Sequence, residues 1–215
     1  MIGSNTTSST SRIDSLVSKE RSLQYWENVD ASDNGMLGGV PARLGPKNSI
    51  GRVTHMLLRG LAIHTDVIEP VTKFNDKLRG NSGVRHIFNV GLEAWSPPPE
   101  GVRHDLIWIQ CCVGYLTDEQ LVAFLKRCGQ ALSPEVGVIV LKDNISTSSS
   151  DLFDATDSGL TREDGKFRQL LGIHPSWLPD HQNRPTKGVT PRFLQETSVR
   201  PDVCVKATGR CKPHN

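Results

Sequence analysis

An α/β fold, with a doubly wound parallel sheet and helices on both faces, is the class this sequence predicts. Two observations carry the prediction. Residues 104–144 read as strand, helix, strand: DLIWIQ (105–110) and VGVIVL (136–141) are short apolar runs, and TDEQ (117–120) between them has the spacing of a helix-opening capping box. Runs this short and apolar on both faces fit strands buried in a parallel sheet, and a helix between two of them is the crossover that parallel strands require. Upstream, short helical and strand-like segments alternate, as they do in doubly wound sheets.

Each element has its own signal. Residues 1–18 are rich in Ser and Thr and read as a disordered tail. Spaced apolar residues at Ile13, Leu16, Leu23 and Trp26 predict an N-terminal helix over 13–29. A glycine-rich loop follows at 35–39. The spacing of Val53, Met56, Leu57 and Leu61 predicts a helix over 52–61. Asp66 to Ile68 is a short strand, 71–78 a short helix, 84–90 a further strand, and Pro97-Pro98-Pro99 a connector. Leu121, Phe124, Leu125, Cys128 and Leu132 then recur at helical spacing behind the capping box. Residues 171–215 are rich in proline and polar residues, without periodicity, and read as an irregular tail after a domain of residues 19–170.

Composition narrows the function. A chain of 215 residues suits one domain, and a net charge of +2 gives no electrostatic case for nucleic acid or a membrane surface. No apolar run has the ~18 residues of a membrane span, and the N-terminus lacks the apolar stretch of a signal peptide. Five cysteines without CxxC spacing argue against a zinc site or a disulfide framework, and predict reduced thiols in a cytoplasmic or nuclear protein.

The wording of the central unit is more specific than its fold. DLIWIQ, GYLTDEQLVAFLKRC and VIVLKDN, with NGMLGG (34–39), IGRVT (50–54), FDATD (153–157) and TREDGKF (161–167), occur in order. Together they resemble the N-terminal protein methyltransferases, over roughly residues 19–170. That family methylates the α-amino group of proteins beginning Xaa-Pro-Lys, ribosomal proteins among them. The resemblance implies S-adenosylmethionine as methyl donor and a Rossmann-like methyltransferase sheet.

It also implies site residues. Gly51 and Arg52 stand at the turn and at the arginine that meets the cofactor's methionine carboxylate, a bidentate contact suited to a guanidinium. Glu69, just after a strand, is the acid for the ribose hydroxyls, Leu92 and Glu93 the adenine-contacting pair, and Gln110 the strand-end residue at the cofactor. On the substrate side, Leu37 points into the channel, Asn144 meets the substrate backbone, Asp154 attracts the lysine, and Asp157 is the proton acceptor. Tyr115 takes the place where many relatives have a histidine thought to assist deprotonation. Cys111 takes the place of a tryptophan that stacks on the substrate proline.

Two breaks accompany the resemblance. Only residues 40–49 separate NGMLGG from IGRVT, where relatives have several tens more, including the first strand and a D-x-G-x-G-I-G-R loop. Two prolines exclude this short segment from a central strand, and Lys47 and Ser49 stand in place of the loop glycines. The sheet is therefore expected to lack its first strand and to bind the cofactor poorly. After Leu170 the family's closing strands are also absent. Read one nucleotide forward, permitted codons for residues 176–183, 185–188 and 198–206 can spell that ending, which suggests an internal deletion and a shifted tail. An inactive methyltransferase-like protein or a defective gene model is the alternative this leaves open.

Overall fold

The computed structural model describes residues 12–32, 61–97 and 101–172, and the backbone of 203–206. Two sheets and three helices are seen among them. The main sheet contains β1 (Thr65–Ile68), β2 (Val84–Phe88), β3 (Leu106–Gln110), β4 (Val138–Lys142) and β7 (Val203–Lys206), in the order β2-β1-β7-β3-β4. Every pairing in it is parallel. A small antiparallel hairpin is formed by β5 (Leu152–Asp154) and β6 (Gly159–Thr161). The helices are α1 (Lys19–Asn28), α2 (Asp118–Ala131) and α3 (Asp164–Leu170).

The α/β expectation holds, and the central crossover forms as its sequence dictates. Thr117 caps α2 by accepting from the Gln120 amide, while the Gln120 side chain accepts from the Thr117 amide, so both halves of the capping box are present. Leu121, Phe124 and Cys128 face inward against Ile107 and Ile109 of β3, with Trp95 edge-on to Phe124. The N-terminal helix is shorter than the expected 13–29: α1 begins at Lys19 behind its cap Ser18, and Ile13–Leu16 is a separate 3-10 turn with Asp14 buried, inside the stretch expected to be a disordered tail.

Several expectations need correction. The segment 71–78 is two three-residue 3-10 turns, Thr72–Phe74 and Asp76–Leu78, not one helix. Asn75 is fully buried between them, its side-chain amide bonded to the carbonyl of Glu69, and this breaks the run. β1 is buried along its whole length, but β4 is an outer strand with Val138 half-exposed. The hairpin β5–β6 occupies what reads in sequence as an acidic loop.

The largest correction concerns the tail. Val203–Lys206 lies inside the stretch expected to be irregular, yet it is the central strand, paired on one side with β1 (Ile68 beside Lys206) and on the other with β3 (Trp108 beside Val205). Without it, β1 and β3 would each present a row of unpaired backbone groups to the other across a gap one strand wide. The expectation of a sheet without its middle strand is overturned: the position is filled, by a segment from the other end of the chain. The residues 40–49 that were expected to leave the gap lie outside the described residues.

Beneath the sheet, Asp66 of β1 is fully buried and serves as a hub. Its carboxylate accepts from Arg85 Nε (3.0 Å) and Nη2 (2.8 Å) and from the His86 amide (3.1 Å), and meets His104 Nε2 at 2.9 Å. His104 precedes β3, so this contact reaches beyond the central strand.

Candidate active site

The mouth of the site lies at the carboxyl ends of β1 and β3, where ligands of doubly wound sheets bind. A pocket opens there, walled by Glu69, Pro70 and Val71 after β1, by Gly91, Leu92 and Glu93 after β2, by Cys112, Tyr115 and Leu116 after β3, and by Lys19, Ser22, Leu23 and Trp26 of α1.

Glu69 is 4% exposed, and one carboxylate oxygen accepts from the Val71 amide at 3.0 Å, which fixes the side chain at the strand end. Leu92 is buried, and the Lys19 ammonium lies 2.7 Å from Glu93 Oε1, tying α1 across the pocket. A β-carbon on Gly91 would come within 2.2 Å of the Glu93 carboxylate, so any larger residue there would displace that side chain. A buried carboxylate suited to hydroxyl donors beside an apolar slot fits a nucleoside with a ribose diol. These residues therefore fit S-adenosylmethionine.

Tyr115 joins the pocket to the hairpin. It sits on the short turn Val113–Tyr115, and Arg162, fully buried in the strand-to-helix connection after β6, holds that turn. Arg162 donates to the carbonyls of Val113 (3.1 Å) and Leu116 (2.6 Å) and to Asp118 Oδ1 (2.9 Å). The Asp143 carboxylate at the end of β4 accepts from the amides of Cys112 and Val113, both at 3.1 Å. The phenol hydroxyl of Tyr115 then donates to Asp157 Oδ2 at 3.0 Å. Asp157 is 4% exposed, and its other oxygen accepts from the Gly159 amide at 3.0 Å. Burial and the adjacent Asp157 charge push the Tyr115 phenol well above its usual range. α1 fastens this corner as well, since Ser22 Oγ donates to the Asp157 carbonyl at 3.0 Å and Trp26 packs edge-on to the Tyr115 ring.

Of the residues expected from sequence, Glu69, Leu92, Glu93 and Tyr115 share the pocket wall, and Asp157 is one hydrogen bond away. Gln110 ends β3 as expected, with its side-chain Oε1 accepting from Trp108 Nε1 at 3.1 Å. Asp154 closes β5 and accepts from the Thr156 amide at 2.8 Å; Asn144 follows β4, its amide bonded to Asp143. These three residues do not line the pocket. Leu37, Lys47, Ser49, Gly51 and Arg52 lie outside the described residues. Sequence reasoning missed Lys19, Ser22, Trp26, Asp143 and Arg162. The apolar spacing of α1 gave it a buried face, but nothing local says what that face covers.

The cysteine expectation is corrected at one position. Cys111, just after β3, is disulfide-bonded, whereas Cys112 and Cys128 are buried free thiols. The other two cysteines of the chain, at 204 and 211, lie in its C-terminal segment.

Comparison with known proteins agrees with the geometry. The family model described as AdoMet-dependent proline di-methyltransferase matches residues 42–174. The chain is 34% identical over 180 residues to alpha N-terminal protein methyltransferase 1 of Schizosaccharomyces pombe, covering 69% of this chain and 80% of that protein. It is 35% identical over 185 residues to N-terminal Xaa-Pro-Lys N-methyltransferase 1 of Xenopus tropicalis, covering 70% and 81%. In the first of these, 69% of 215 residues is about 148, so roughly 30 of the 180 aligned positions have no residue here. A solved SAM-dependent methyltransferase from Leishmania major superposes with a TM-score of 0.61 at 30% identity, over 86% of this chain and 83% of that one. A pocket suited to a nucleoside at the strand ends, a matching sheet and a family match over more than half its length lead to one conclusion: the chain belongs to the AdoMet-dependent proline di-methyltransferases.

Proposed function

We propose that this protein transfers methyl groups from S-adenosylmethionine to the α-amino group of proteins that begin Xaa-Pro-Lys, ribosomal proteins among them, in the cytoplasm or nucleus. The observation that carries the reading is Asp157. It is a buried carboxylate held from two sides beside the cofactor pocket, in the hairpin that also presents Asp154.

The cofactor supplies the methyl group. The residues of this chain do the rest. Glu69, Leu92 and Glu93 hold the nucleoside end in place. Asp154 is half-buried on the hairpin and offers a negative charge to a substrate lysine. Methyl transfer needs a neutral amine with its lone pair in line, and the nitrogen sheds one proton as the new bond forms. Asp157 takes that proton. An α-amino group has a pKa of ~7.7–8.0, so a usable fraction is neutral at pH 7, and alignment carries much of the rate.

The test separates the two aspartates. Asp157→Asn should lower turnover on an Xaa-Pro-Lys peptide by ~10²–10⁴-fold, the usual contribution of a general base, with the cofactor Kd nearly unchanged. Asp154→Asn should instead raise the peptide KM. Small and equal effects would reduce the hairpin to an acidic surface and overturn the assignment.

A further inference from the structure

The corner where pocket, α1 and hairpin meet contains one side chain that touches all three. The Tyr115 ring walls the cofactor pocket and stacks edge-on against Trp26, with ring centroids 6.2 Å apart. Its hydroxyl reaches Asp157 Oδ2 at 3.0 Å. The hairpin is shaped to receive it: a β-carbon on Gly159 would lie 3.3 Å from Tyr115 Cε1 and 2.9 Å from Asp157 Oδ1, tighter than side chains normally pack. Gly114, next to Tyr115, is equally constrained, since a β-carbon there would come within 2.8 Å of the Leu160 carbonyl. Two glycines therefore let the turn and hairpin close until phenol and carboxylate meet. Arg162 locks the turn from behind through three hydrogen bonds.

We propose that Tyr115 is a positioning residue for methyl transfer: its ring registers against the cofactor pocket, and its hydroxyl fixes the orientation of the Asp157 carboxylate toward the substrate amine. The inference rests on the reading of Asp157 as proton acceptor. Geometry gives Tyr115 the part of a donor. Its phenol holds its proton far above the range in which an α-amine titrates, so it gives a hydrogen bond and does not take the amine's proton. The wild-type rate therefore rises with pH through the titration of the substrate amine, near 7.7–8.0 in a free peptide, and stays level to about pH 10, with no step belonging to Tyr115.

Three variants of the full chain test this. Tyr115→Phe keeps the ring and loses only the hydroxyl. It should lower kcat roughly 10-fold or more, the loss expected for a hydrogen bond to a charged group, with peptide KM and cofactor Kd within twofold of wild type. Tyr115→His places a group that titrates near pH 6.5, so its rate–pH profile should gain a step there that the wild type lacks. Asp157→Asn serves as reference. Wild-type kcat in Tyr115→Phe, or a Tyr115→His profile of unchanged shape, overturns the positioning role when Asp157→Asn is inactive. An Asp157→Asn variant that keeps its rate overturns the reading beneath it. A fall in both cofactor affinity and melting temperature in Tyr115→Phe would mean that the hydroxyl supports the fold only, and would also overturn the proposal.

Discussion

At Asp66 the chain buries a carboxylate completely and surrounds it with Arg85, His86 and His104. Burial alone would raise its pKa, but the hydrogen bonds from His104 and Arg85 hold it well below the usual carboxylate range. A carboxyl whose folded pKa is depressed contributes stability above its unfolded value of ~3.9, and that contribution is lost as pH falls through the folded value. Asp66→Asn should therefore cost about 3 kcal/mol at pH 7, since it leaves buried donors without their charge, and the gap to wild type should shrink below about pH 4. Urea unfolding at pH 7 and pH 3 measures both numbers. Nothing in the sequence reveals this hub, because its members are separated by up to 38 positions. Glu69, by contrast, was legible through the family resemblance, since its place directly after a strand is at the edge where doubly wound sheets bind ligands.

The elements differ in how plainly the sequence announces them. β3, α2 and β4 were legible because each satisfies its own period and because Thr117 and Gln120 mark the helix start. Thr117→Ala removes one half of that capping box and should cost about 1 kcal/mol, visible as a lower midpoint in thermal or urea unfolding. The β5–β6 hairpin was not legible. Asp154, Thr156, Asp157 and Ser158 read as a solvated loop, yet Asp157 and Ser158 are buried because Ser158 and Ser22 tie the hairpin to the chain around α1. Ser158 itself adopts a left-handed backbone, with φ at 58°, which short polar residues tolerate in tight turns. Gly159→Ala should push Asp157 and Tyr115 apart and destabilise the protein by about 1–3 kcal/mol, an overpacking cost that a melting curve resolves.

For the molecule as a whole, the deciding fact is that its sheet closes through β7. The poor cofactor binding expected from a missing strand and from Lys47 and Ser49 in place of loop glycines loses the first of those grounds, because β1 and β3 are joined and Glu69 and Gln110 stand at the same edge of a continuous sheet. A four-residue VCVK segment among prolines and polar residues carries too little pattern to be recognised; it becomes a strand because two flanking parallel strands offer hydrogen bonds on both sides. Hydrogen exchange on the intact protein should show the amides of 203–206 protected together with those of β1 and β3. Val205→Pro, which removes a donor and bends the centre of the sheet, should lower protection in all three strands. Rapid exchange confined to 203–206 would mean that the gap stands open. There is a consequence for biosynthesis. Of the strands described, the one at the centre of the sheet leaves the ribosome last, so the nascent chain carries two half-sheets with bare inner edges until residues 203–206 have emerged. That interval is when strand-for-strand exchange between neighbouring polysomal chains is easiest, and a chaperone that masks open β-edges would govern the yield of this protein more than that of a relative whose central strand is made first.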